Sequence, residues 1–380
     1  MLLYLLPFID VLTEVGLATA YPQLKHIYNS PLQASSLIAV GPLAAVTTGW
    51  CWGPFVRRYG VKTGMVTALL IWSAALGGMS VLLAQYPAAL LLRLLHGFGG
   101  AGMAAVPFIA AATRSTHTAT QSRRMGRIEL SASLGAISGP LVFGSAMVLS
   151  PRLALTGVAG TGMALFGTIL LAVPRSQPPS REKPAKPATA VPVLQHMAPA
   201  ILYAIIAACL LSALETLIPT AAESATDSAL AGKIAAALFE AIVLAGILYQ
   251  SRQIHPDTRA GGLLAIAFSC LLLSVVLPGE AWLPMVLLLI LSGLWVGRMV
   301  AGGNQFAARR AQNAAARGMG LYSTIRISGS IIGPMLMNLP TAGLFATLAI
   351  LCVIADITRT GIRQRRHCPE ARQSRDLRDR

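Results

Sequence analysis

The chain has 380 residues, 55% of them hydrophobic and only 12% charged, about half the charge of a soluble domain, so most of its surface is expected to face lipid. A formal net charge of +16 raises the question of nucleic acid, but the basic residues are scattered between apolar runs with no aromatic-interleaved patch, and no nucleic-acid partner is expected. Five cysteines, Cys51, Cys209, Cys270, Cys352 and Cys368, show no C-x-x-C spacing, which argues against a disulfide framework or a metal site.

The first apolar run begins at Leu2 without a charged leader and contains Asp10 and Glu14. It therefore reads as a spanning helix kept in the chain rather than a signal peptide. A span needs roughly 20 apolar residues, and twelve such segments follow one another: 2–22, 33–55, 62–84, 87–111, 124–148, 153–174, 195–219, 229–250, 260–278, 281–304, 317–338 and 341–360. Turn chemistry separates them, as in Asn29-Ser30-Pro31, Tyr86-Pro87, Ser150-Pro151 and Pro278-Gly279-Glu280.

Charge alternates along the connections. The even-to-odd loops hold Arg57, Arg58 and Lys62, then Arg114, Arg123, Arg124 and Arg127, then Arg175, Arg181, Lys183 and Lys186, then Arg252 and Arg259, then Arg309, Arg310 and Arg317. The odd-to-even loops hold only Lys25, Arg152 and Lys233. The rich set is expected to be cytoplasmic, with both termini inside. Residues 175–194 are Pro-rich and charged and read as a cytoplasmic linker. It divides an N-terminal bundle, 1–174, from a C-terminal bundle, 195–360, and a basic tail, 361–380, follows.

The two halves repeat one phrase. Met125-Gly126 followed by Gly135-x-x-x-Gly139-Pro140 recurs 194 residues later as Met319-Gly320 followed by Gly329-x-x-x-Gly333-Pro334, the mark of an internal duplication. Residues Gly53 to Lys62, with Arg57, Arg58 and Gly60, match the pattern G-x-x-x-D-R-x-G-x-K/R except that Arg57 replaces its acid. Arg93 precedes a small-residue run, His96-Gly97-Phe98-Gly99-Gly100-Ala101. In this order these motifs resemble the major facilitator superfamily over residues 1–360. The resemblance implies an all-α membrane protein of two pseudo-symmetric six-helix bundles that give alternating access to a central site. The Gly135–Gly144 pattern resembles the fifth-helix signature of drug/proton antiporters and implies export. The acid replaced by Arg57 helps latch the two halves in the family, so that latch is expected to be altered here. Gly53, Arg57, Arg58, Gly60, Gly135, Gly139, Pro140, Gly329, Gly333 and Pro334 are thus the expected conformational residues.

Charges inside the spans select the candidate site independently. Asp10 and Glu14 are one turn apart on one helix face, at ~12 and ~18 Å into a ~30 Å hydrocarbon layer. An acid there costs ~2.5–3.5 kcal/mol on insertion scales, so the pair is read as the proton-coupling group, or as half of an ion pair with Arg93. Arg93 lies ~9 Å from the end of its helix, within reach of snorkelling outward, but the family resemblance implies a place in the cavity, where it would compete for the acids. Glu240 and Arg326 sit near the midplane and join Arg93 as substrate-binding candidates, or bridge to one another. Glu215 and Glu129 lie nearer the ends of their helices and are second-rank, Arg298 is expected to snorkel, and His96 is more simply a packing histidine than a proton relay.

No Walker loop, H-E-x-x-H or G-x-S-x-G motif occurs, so neither an ATP-driven pump nor an enzyme is expected. The sequence reads as a monomeric, cofactor-free secondary transporter of the inner or plasma membrane that works with protons, lipid and a small-molecule substrate. The favoured activity is proton-coupled export of a drug-like compound or a siderophore-like metabolite. A proton-coupled importer of a small metabolite is the first alternative, and a non-transporting sensor or scaffold the second.

Overall fold

The computed structural model describes residues 2–113, 118–172, 190–251, 264–265, 267–269, 282–310, 325 and 327–357. Among the described residues all regular structure is helical. In chain order come α1 (Leu2–Ala18), α2 (Tyr21–Tyr28), α3 (Pro31–Tyr59), α4 (Val61–Leu82), α5 (Tyr86–Thr113), α6 (Thr118–Gly139), a π-helical turn (Pro140–Gly144), α7 (Ser145–Leu149), α8 (Pro151–Ala172), α9 (Ala190–Thr226), α10 (Ala229–Ser251), α11 (Trp282–Arg310), α12 (Gly329–Met335) and α13 (Thr341–Ile357). Seven helices are long and apolar enough to cross a membrane, or eight when the bent pair α1–α2 is one span. Most of the expected ninth span, the start of the eleventh, Arg326 and the tail lie outside the described residues, as does the linker up to residue 189.

Two hydrophobic cores form. One joins α1 to α8 around Leu6, Trp72, Met79 and Phe143, and the other joins α9 to α13 around Leu214, Phe239, Phe268 and Phe345. Leucines such as Leu149 and Leu171 are exposed at 87% and 88%, the surface expected of a lipid-facing wall.

The repeated glycines explain how each bundle is held. A Cβ on Gly135 would meet the Phe8 carbonyl and, at 3.1 Å, Leu12 N, while one on Gly139 would lie 2.6 Å from Leu12 O and 3.0 Å from Gly16 N. In the second half, a Cβ on Gly329 would meet the Ile205 carbonyl and, at 2.6 Å, Cys209 N, and one on Gly333 would lie 2.7 Å from Cys209 O and from Ala213 N. The partners correspond one for one, Phe8 to Ile205, Leu12 to Cys209 and Gly16 to Ala213. Glycine is required at all four places because backbone packs on backbone. The duplication seen in sequence is thus a duplicated helix joint, α6 on α1 and α12 on α9.

Three expectations need correction. The first span is not one straight helix from 2 to 22, because α1 and α2 meet at 57°. Pro22 has no N–H to carry the ladder on, and Thr19 Oγ1 turns back to Gly16 O at 2.9 Å. Secondly, Lys233 is not a loop residue: it lies on α10 with 0% exposure. Thirdly, Glu215 is not near the end of its span, since α9 is 37 residues long and continues past Pro219 to Thr226. Pro140, for its part, widens its helix, because the lost proline donor is accommodated by a π turn in which Ser145 N–H bonds to Pro140 O.

The motif between α3 and α4 forms a tight turn. Gly60 takes φ 86°, a conformation that favours glycine, and its N–H bonds to Val56 O at 2.8 Å. Arg57 and Arg58 are exposed there, with the Arg58 guanidinium 5.3 Å from the Tyr59 ring centre. Lys62 Nζ caps the end of α8 by donating to Leu170 O at 2.8 Å. Gly53 has open space where a Cβ would sit.

Candidate functional site

The intramembrane charges of the N-terminal bundle converge. Arg93 on α5 is fully buried and grips Glu14 with two parallel bonds, NH1 to Oε1 at 2.8 Å and NH2 to Oε2 at 2.5 Å. Its Nε donates to Leu37 O at 3.3 Å and NH2 also to Ile38 O at 3.5 Å. NH1 donates in addition to His96 Nδ1. All five guanidinium N–H groups are therefore used. The slot that receives them is made by Gly41-Pro42 on α3: Pro42 has no N–H for the Ile38 carbonyl, which leaves it for Arg93, and a Cβ on Gly41 would collide with the guanidinium. Neither residue was singled out from the sequence, though a Gly-Pro pair within a span was a readable sign of a freed carbonyl.

Asp10, one turn before Glu14, is 7% exposed. It accepts a bond from Trp72 Nε1 at 3.1 Å and rests on the backbone of Gly100, where a Cβ would lie 2.7 Å from its Oδ1. His96 is fully buried with its ring 5.3 Å from that of Trp72. Because arginine can only donate, His96 Nδ1 is the acceptor and the ring proton sits on Nε2, which is buried without a partner. Asp10, Glu14 and His96 bring three potential ligand atoms within 4.8 Å of one another. The Arg93 guanidinium bonds to two of these residues, so the place of a metal cation in this cluster is taken by a protein cation. The Glu14 side chain, 28% exposed, is the open part of the group.

In the C-terminal bundle, Glu215 on α9 and Glu240 on α10 lie close enough for their carboxyls to act on each other. Glu240 is 5% exposed and Glu215 half-buried. Among the described residues, Glu14 of the other bundle is also near enough to act on Glu215. Sequence reasoning ranked Glu215 low because it placed the end of its helix too early. The expected partner Arg326 falls outside the described residues, as does the Glu129 side chain. Arg298 on α11 has its guanidinium 4.8 Å from the Tyr249 ring centre.

The halves also meet at one end. Lys233 Nζ donates to Thr19 O and to Gln23 Oε1, the latter at 3.1 Å. Thr19 O is one of the carbonyls exposed by the α1–α2 break, so a lysine of one bundle caps the broken helix of the other. The lysine stem passes Gly144 of the π turn, where a Cβ would lie 3.4 Å from Lys233 Cδ. On the same level Asn338 Nδ2 donates to Ser35 Oγ at 3.0 Å. Beyond this contact a cavity of about 310 Å³ opens between α2 and the end of α9, lined among others by Lys25, His26, Glu223 and Asp227.

The same architecture recurs in solved transporters. A bacterial homologue of the human lysosomal transporter Spinster, in an inward-facing and unoccupied conformation, superposes with a TM-score of 0.72 over 94% of both chains at 12% identity. The peptide transporter POT gives 0.70 at 16% identity, over 96% of this chain and 94% of its own. The nucleoside transporter NupG gives 0.67 at 15% identity, over 94% of this chain and 99% of its own. At these identities the likeness concerns the fold alone. Among curated protein sequences the chain has no significant match. Residues 3–334, however, match the Major Facilitator Superfamily. With its all-helical bundles, its doubled helix joint and its buried central charges, the chain belongs to the Major Facilitator Superfamily of membrane transporters.

Proposed function

We propose that the protein is a twelve-span, proton-coupled exporter of a small organic molecule. The observation that carries this reading is the Arg93–Glu14 ion pair beside Asp10: a buried, fully bonded cation whose acid partner alone is open to the centre. Protonating Glu14 removes the charge that Arg93 grips and frees the guanidinium to turn to Asp10, so one proton exchanges one arrangement of α1 and α5 for another. A modest bias suffices, since ~1.4 kcal/mol changes a population ratio tenfold and one proton moving down 100 mV supplies ~2.3 kcal/mol.

The basic loops support placing both termini in the cytoplasm of a cell with this protein in its plasma or inner membrane. With that orientation, the Lys233 contact closes the outer end, and the site opens inward. Export rests on the fifth-helix pattern Gly135–Gly144, whose residues join α6 to α1. An anionic cargo is disfavoured in this conformation, because the five donors of Arg93 are already satisfied.

The test is transport into inside-out vesicles containing the full chain, with and without a pH gradient. Wild type is expected to move substrate only with the gradient, and Asp10→Asn and Glu14→Gln to lose that dependence. Gradient-independent transport by wild type and both variants would sink the coupling.

A further inference from the structure

The end at which Lys233 ties the bundles together also holds charges of both signs that do not meet. The cavity of about 310 Å³ there lies between α2 of one bundle and the end of α9 of the other. Its α2 wall carries two bases, Lys25 and His26, and its α9 wall two acids, Glu223 and Asp227. Among the described residues no ion pair crosses from one wall to the other. Glu223 Oε2 is buried and accepts no hydrogen bond from any of them. Lys233 acts on Glu223 from α10, but its ammonium group donates to Thr19 O and Gln23 Oε1 instead. Position adds to the imbalance: Glu223 sits in the last turn of α9, which holds no basic residue, and Asp227 stands just past its end. The carbonyl end of a helix is the wrong end for a negative charge, so both acids stand where a bound cation would relieve them.

From this geometry we propose that the cavity binds a small zwitterion, its ammonium group between Glu223 and Asp227 and its carboxylate or phosphate against Lys25, with His26 as a further donor, and that the bound zwitterion holds this end of the protein closed. A simple cation would satisfy the acids and meet Lys25, and a simple anion would satisfy Lys25 and meet two carboxylates. A molecule carrying both charges answers both walls at once. The volume stands at the small end of ligand pockets, which suits an amino acid or a lipid headgroup. The walls belong to opposite bundles, so the site exists only while the bundles are together at this end. A ligand of the closed arrangement alone shifts the equilibrium toward it by the factor 1 + [L]/Kd, and so acts as a brake on opening. From the transport reading the proposal takes only the orientation that turns this end outward. The site is separate from the Arg93 cluster, and its occupant is an effector rather than the cargo.

The probes are ω-amino acids of increasing length, glycine, β-alanine, 4-aminobutyrate and 6-aminohexanoate, with butylamine and butyrate as the two separate halves. Calorimetric titration uses the purified full chain in phosphatidylcholine nanodiscs. These carry no primary ammonium group and are open on both faces, so binding is read independently of orientation and of proton coupling. At least one ω-amino acid is expected to bind at least roughly tenfold more tightly than either half. Glu223→Gln and Lys25→Gln should each weaken it by a similar factor, while Glu223→Asp retains more affinity than Glu223→Gln. Arg152 is exposed and outside the cavity lining, and Arg152→Gln should bind as wild type. Monodispersity on gel filtration checks that each variant is folded. In intact cells, that zwitterion at ~10 times its Kd should slow about tenfold the reaction of a cysteine placed at Ser35 or Asn338 with an impermeant thiol reagent. No binding by any member of the series at millimolar concentration, equal binding by butylamine or butyrate, or unchanged affinity in both Glu223→Gln and Lys25→Gln overturns the site. Binding without slower labelling upholds the site and overturns the brake. Repeating the titration in phosphatidylethanolamine discs separates the two sources: affinity lost there makes the lipid headgroup the occupant, and affinity unchanged makes it a soluble molecule. Gradient-driven transport by a protein that binds none of the series leaves the exporter standing without the site, and binding without gradient-driven transport does the reverse.

Discussion

Arg93→Lys separates shape from charge at the centre of the N-terminal bundle. The substitution keeps one positive charge beside Glu14, so a Coulombic view of the ion pair expects little change. The hydrogen bonds say otherwise. Five N–H groups serve five acceptors: two oxygens of Glu14, the carbonyls of Leu37 and Ile38, and His96 Nδ1. Lysine brings three, and at least two acceptors lose their donor. Ile38 O is the most exposed to this loss, because Pro42 offers no backbone substitute. An unsatisfied buried acceptor costs ~1–3 kcal/mol, so the variant should be destabilised by ~2–6 kcal/mol. Thermal unfolding in detergent should show a fall of several degrees, at ~2–4 °C per kcal/mol for a unit the size of one bundle. Pro42→Ala restores a backbone N–H for Ile38 O and should make Arg93→Lys less damaging by ~1–3 kcal/mol, a departure from additivity that reports shared partners. A melting point for Arg93→Lys within ~1 °C of wild type, or strict additivity with Pro42→Ala, would refute the argument.

Three further expectations follow from the same contacts. Lys233→Met keeps the stem beside Gly144 but removes both donors to α1–α2, so the end closed by Lys233 should open more often. A cysteine placed at Ser35 or Asn338 should then react several-fold faster with a membrane-impermeant thiol reagent added outside cells, and an unchanged rate counts against the latch. Gly333→Ala sets a Cβ 2.7 Å from Ala213 N and Cys209 O, an overpacking worth ~1–3 kcal/mol. It should lower the melting point, whereas Gly167→Ala, with nothing within 4 Å, should not, and equal melting points would contradict the joint. Trp72→Phe removes the indole donor to Asp10 and should weaken gradient-driven transport more than it weakens folding, measured as the split between vesicle uptake and melting point.

The helix joints were legible in the chain because each is local and repeated. Gly135, Gly139, Gly329 and Gly333 stand in one spacing, and such spacing has one common use in lipid, close helix contact. The partners on α1 and α9 were not legible, since nothing in a glycine ladder says which helix it meets. Asp10 and Glu14 announced themselves by the expense of an acid at midplane depth. The position of Arg93 stayed open between snorkelling and burial because what decides it, Gly41-Pro42, lies on a different helix. Depth errors had one origin. Counting from apolar composition ended the seventh span at Pro219, yet α9 continues to Thr226, because helix neighbours supply what a proline withholds. That error alone hid the approach of Glu215 to Glu240.

The backbone-on-backbone seam between α6 and α1 has a mechanical consequence. Where side chains interdigitate, two helices can slip by changing rotamers. At Gly135 and Gly139 there are no rotamers to change, so α1 and α6 move as one beam. That beam carries Glu14 on one flank and, at its end, the π turn whose Gly144 borders the Lys233 stem. On the proposed coupling, a displacement of α1 begun at the carboxylate would reach the opposite bundle through the π turn, the soft point of the lever, where the helix already departs from α geometry.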